Sequence, residues 1–106
     1  MTTKNLDKWL LEKGFQKEIY YQSDTERGNT TTETHTIYII RKAGKLIRLD
    51  HTVTVCRNDK RGNVLWASRY WGVYAHQKDG YRVEEHITKH VPLPEDIELI
   101  LKLIKI

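Results

Sequence analysis

The chain holds one cysteine, Cys56, and two prolines among its 106 residues. A single thiol excludes an internal disulfide and a thiolate-built zinc or iron–sulfur site, which leaves Cys56 as a small buried hydrophobe. No apolar run approaches the ~18 to 20 residues of a membrane-spanning helix, and the opening MTTKNLDKWL lacks the apolar centre of a signal peptide. No membrane partner is expected, and an intracellular, cytoplasmic location is. With no internal repeat, linker or low-complexity tract, residues 1–106 are expected to form one domain around one core. What is present is the balance of a folded protein, 39% hydrophobic and 30% charged, which excludes a disordered chain. Eighteen Lys and Arg against fourteen Asp and Glu leave a net charge of +4, which favours anionic partners without requiring one.

Apolar residues at Leu6, Trp9 and Leu10, with Leu11 on the flank, predict a short amphipathic helix. Thr3 or Asn5 is the expected N-cap, and Gly14 followed by Phe15 fits a left-handed C-cap that folds an apolar side chain back onto the helix. Glu18–Gln22 reads as a strand, and Ser23–Glu33, which contains no apolar residue, reads as a mobile solvated loop or an extended hairpin tip. From Thr34 to Val91 the pattern has period two in four runs. The breaks between them are the tight Ala43-Gly44 connection, the polar Asn58–Asn63 loop and Lys78-Asp79-Gly80. In the second run Ile47, Leu49, Val53 and Val55 share one face, and Arg48, Asp50, Thr52 and Thr54 share a wet one. Pro94, Glu95 and Asp96 then start a second helix with a stripe of Leu93, Ile97, Ile100, Leu101 and Ile104. The expected fold is α+β in two layers: an antiparallel meander of four or five strands, with an N-terminal and a C-terminal helix packed on one face.

The run WASRYWGVYAH is rich in aromatics on both faces. With the helices on the side of Leu65, Ala67, Trp71, Val73 and Ala75, the open face would present Trp66, Tyr70 and Tyr74 beside Tyr38, Arg48 and Arg82. Nucleic-acid bases stack on such rings for ~1 to 3 kcal/mol each, and flanking cations release counterions from phosphates. Arg57, Lys60 and Arg61 in the loop after the second run would extend the contact, while Arg41, Lys42 and Lys45 lie at the opposite end of the same strand. The bland alternatives are cross-strand packing of aromatics and solvated loop charge.

Five histidines raise the question of a metal. His86 and His90 on a strand lie about 13 Å apart, too far to share one ion, and Glu84 with His86 lacks an adjacent third ligand. His51 falls on the apolar face as a hydrogen-bonded core or edge histidine, and His35 has no visible partner. Asp50 and His51 point to opposite faces, GNTTTETH lacks the spacing of a phosphate-binding loop, and no nucleophile–base pair is legible, so no catalytic residue, metal or cofactor is assigned. The leading expectation is a non-enzymatic accessory protein that binds single-stranded DNA or RNA, with Tyr38, Arg48, Arg57, Lys60, Arg61, Trp66, Tyr70, Tyr74 and Arg82 as contacts. The alternative is an interaction module or inhibitor, of viral or mobile-element type, that docks on a host protein through the same face. A homodimer formed through that face is a further expectation.

Overall fold

The computed structural model describes residues 2–76, 82–88 and 91–103, with 76 and 82–88 described by backbone alone. The order is α1 (Thr3–Glu12), β1 (Gln16–Glu26), β2 (Asn29–Lys42), β3 (Lys45–Asn58), β4 (Val64–His76), β5 (Arg82–Thr88) and α2 (Pro94–Leu103). The strands form one antiparallel sheet in sequence order, β1-β2-β3-β4-β5, so the α+β class and the meander stand as expected.

Local chemistry explains the element ends. Thr2, one residue before the expected Thr3, caps α1 by accepting the Asn5 N–H on its hydroxyl at 3.1 Å. At the other end Gly14 takes a φ of +98°, and Phe15 N–H donates to the Leu10 carbonyl at 3.1 Å, which closes the helix and buries the Phe15 ring. Ser23–Glu26 and Asn29–Glu33 are paired with each other across a two-residue turn at Arg27-Gly28, so the extended-tip alternative describes the stretch. Both Arg27 and Gly28 have positive φ, as do Ala43 and Gly44 at the β2–β3 turn, the signature of a tight turn whose twist matches the strands. The Lys78-Asp79-Gly80 connection lies outside the described residues.

The register assigns the faces. Tyr38 stands opposite Leu49, Leu49 opposite Val73, Ile47 opposite Ala75, and His51 opposite Trp71. These sheet residues apart from His51 join Leu6, Leu10, Phe15 and Ile97 in one hydrophobic cluster, with Trp9, Ile100 and Leu101 packed against it. Lys13 of the α1 C-cap also pairs with Glu98 of α2 at 2.7 Å. Tyr38, placed by the sequence reading on the open face, is 2% exposed in this core. Its register with Leu49 carries it to the helix side, where its hydroxyl donates to Asp7 of α1 at 2.6 Å. Burial raises the Asp7 carboxyl, but hydrogen bonds from Lys17 and Tyr38 and the Lys17 charge outweigh it and hold the group below its usual range.

The strands outreach this core. Fourteen residues of β3 span about 46 Å at ~3.3 Å each, whereas ten helical residues span about 15 Å. The radius of gyration, 16.2 Å, exceeds the ~13 Å of a compact chain of this length. Val53 and Val55 accordingly lie outside the cluster and are only half-buried, while Thr52 and Thr54 on the face expected to be wet are buried.

Candidate interaction surface

On the face opposite the core cluster, the ladder aligns residues in transverse rows. Near the Ala43-Gly44 turn, Ile39, Arg48 and Tyr74 form one row, and Ile37, Asp50 and Gly72 the next. This end is occupied by its own side chains. The Tyr74 ring lies over Gly72, where an added methyl would meet its Cε2 and hydroxyl at 2.9 Å. Arg48 stacks on the same ring at 4.5 Å from its centroid and reaches Asp50 at 3.3 Å. Burial raises the Asp50 carboxyl, while the charges of Arg48 and His35 oppose the rise without cancelling it.

Toward the Arg27-Gly28 end the rows are Tyr20–His35–Thr52–Tyr70, Gln22–Glu33–Thr54–Ser68 and Asp24–Thr31–Cys56–Trp66. His35, expected to lack a partner, is bridged: one ring nitrogen lies 3.0 Å from Glu33 and the other 3.2 Å from the Thr52 hydroxyl. Trp66 and Tyr70 are 49% and 37% exposed. Across the sheet from them are two adjoining shallow depressions: one of about 600 Å³ lined by Gln22, Ser23, Asp24, Thr31 and Glu33, the other of about 290 Å³ lined by Asp24, Glu26, Arg27, Asn29, Thr31 and Cys56. The aromatics of β4 thus stand across two to three strand spacings, about 10 to 14 Å, from the carboxylates of β2 and β1.

The expected site residues separate. Trp66 and Tyr70 are exposed on this face, whereas Tyr74 and Arg48 are engaged with each other and Tyr38 is in the core. Arg57, Lys60 and Arg61 are exposed at the β3–β4 turn, which Asn58 organises by accepting the Lys60 and Arg61 backbone N–H groups at 3.1 and 2.9 Å. Arg57 donates to the Gly62 carbonyl at 3.3 Å. The Arg82 backbone pairs with His76, and its side chain lies outside the described residues, as do those of Glu84 and His86; His90 lies outside them altogether. Asp24, Glu26 and Glu33 are the residues that the sequence reading missed. For Asp24 and Glu26 the signal was the alternation of charge in SDTE, legible only once that stretch is a strand; Glu33 joins them only through the pairing of β2 with β1.

On the core side His51 stacks on Trp71 at 4.4 Å, and among the described residues its Nε2 has no hydrogen-bond partner, unlike the hydrogen-bonded histidine expected there. Desolvation, aided by Arg69, lowers its affinity for a proton. Among the described residues no group of three or more His, Cys, Asp or Glu is placed to hold a metal ion. No helix there is long and apolar enough to cross a membrane. The fold is α+β, and this end of the open sheet face carries exposed Trp66 and Tyr70 on β4 and the carboxylates Asp24, Glu26 and Glu33 on β1 and β2. No family model matches the chain, and comparisons with curated proteins and with solved structures return no match.

Proposed function

We propose that this protein is a protein-interaction module that docks a partner on the open sheet face at the Arg27-Gly28 end. In this reading both helices pack on the side of Tyr38, Leu49 and Trp71, and the opposite face is left for the partner. The observation that carries it is the exposure of Trp66 and Tyr70, large aromatics of the kind that anchor protein interfaces, on a face whose other end is filled by Arg48 and Tyr74. Binding of single-stranded DNA or RNA is the second reading. It is favoured by Arg57, Lys60 and Arg61 beside the Trp66 end of β4, but no Lys or Arg occupies the rows between Tyr20 and Trp66 themselves.

The test is affinity capture from extract with and without nuclease treatment, by the wild-type chain and by Trp66→Ser and Tyr70→Ser, with the mass of each protein measured in solution. A protein captured by the wild type after nuclease treatment and lost by both variants supports docking. Capture that disappears with nuclease, together with quenching of tryptophan fluorescence by oligonucleotides, overturns it in favour of nucleic acid. A dimer mass that falls to monomer in both variants identifies a second copy as the occupant. Capture unchanged in the variants removes the face from consideration.

A further inference from the structure

We infer that the segment docking on this face is extended and basic, presenting Arg or Lys side chains to Asp24, Glu26 and Glu33; the inference rests on the docking reading above. The chain as a whole is positive, yet the open-face positions from Gln22 to Glu26, Asn29 to His35, Thr52 to Asn58 and Trp66 to Tyr70 include three carboxylates and no Lys or Arg. Among the described residues Asp24 and Glu26 take part in no ion pair, and Glu33 is met only by His35. Asp24 and Glu33 are among the residues lining the larger depression and Asp24 and Glu26 among those lining the smaller, with Arg27 bordering the smaller from the hairpin tip. An anionic ligand laid here would meet like charge; a cationic one meets carboxylates on one side and ring faces on the other, the two groups that attract it most.

Spacing adds shape to charge. Asp24 and Glu26 are two apart on β1, about 7 Å, which is also the repeat of alternate side chains in an extended peptide. A segment running along the strands therefore lays successive cations against both carboxylates while its other residues lie over Thr31, Thr54 and Cys56 toward Trp66 and Tyr70.

The test uses the full chain and fluorescently labelled peptides long enough to span β3: an alternating Arg–Ser peptide, with Glu–Ser and Gln–Ser peptides of the same length. The Arg–Ser peptide is expected to bind at least about tenfold more tightly than the other two, the scale of a few exposed charge pairs acting together. The triple substitution Asp24→Asn, Glu26→Gln, Glu33→Gln is expected to abolish that preference. Glu12→Gln, Glu95→Gln and Asp96→Asn, which remove the same charge from the helices, leave it intact. Equal binding of the Arg–Ser and Gln–Ser peptides, lost with Trp66→Ser but not with the triple substitution, overturns the inference and leaves docking standing. Equal loss in the triple and the helix-charge variants overturns it as an effect of net charge. Absence of Arg–Ser binding overturns it too, and docking is then judged on the capture experiment alone. Tighter binding of the Glu–Ser peptide reverses the sign of the partner and overturns it outright.

Discussion

A methyl group on Gly72 has no room while Tyr74 lies across it, because the ring atoms are 2.9 Å from where that carbon would stand. Gly72→Ala is therefore expected to displace the ring and its Arg48 contact and to cost about 1 kcal/mol in urea denaturation. In a Tyr74→Ala background the same change is expected to be neutral or stabilising, since a strand prefers alanine to glycine once the clash is gone. A second residue-scale test concerns acid. His51 is buried against Trp71, and desolvation with the Arg69 charge lowers its folded pKa below the usual 6.5. The unfolded chain then takes up the proton first. The stability this neutral ring contributes is complete above the unfolded value and is lost as pH falls below it toward the folded one. His51→Phe keeps a ring on Trp71 and is expected to flatten the melting temperature between about pH 7 and pH 5 relative to wild type.

At the scale of elements, the tight turns carry a correctable strain. Ala43 holds φ at +53°, a conformation that crowds any β-carbon, and its side chain is exposed. Ala43→Asn places there a residue that tolerates the left-handed region and is expected to raise stability by about 1 kcal/mol in chemical denaturation. The Gly14–Phe15 end of α1, the Ala43-Gly44 turn and the Pro94 helix start were legible because each depends on residues adjacent in sequence, whereas the N-cap fell on Thr2 rather than on Thr3 or Asn5. The length of β1 was not. Ser23–Glu33 has no apolar alternation, and it is held extended by pairing with β2 and by hydroxyl contacts such as Thr25 with Thr30 at 2.9 Å. A bond from Thr30 to Asp59 at 2.6 Å ties that hairpin to the β3–β4 turn.

At the scale of the molecule, a sheet longer than its helices divides burial along the strands. Near the helices Ile47 and Leu49 are core; farther out Val53 and Val55 are half-exposed, while Thr52 and Thr54 are buried between neighbouring strands. The capture and peptide experiments belong to this scale, because the surface they probe is assembled from four strands and exists in none of them singly. By itself the sequence determined what local chemistry controls: two helices, antiparallel hairpins in chain order, and the opposite faces of Asp50 and His51 and of Trp66 and Trp71. Tertiary structure alone decided which face Tyr38 joins, that Tyr74 is taken up by Gly72 and Arg48, and that Asp24, Glu26 and Glu33 stand across from Trp66 and Tyr70. Register is the physical reason. Side-chain parity is a property of one strand, but which residues of different strands stand side by side depends on where each turn begins the ladder, and a shift of one position sends every side chain of a strand to the other face.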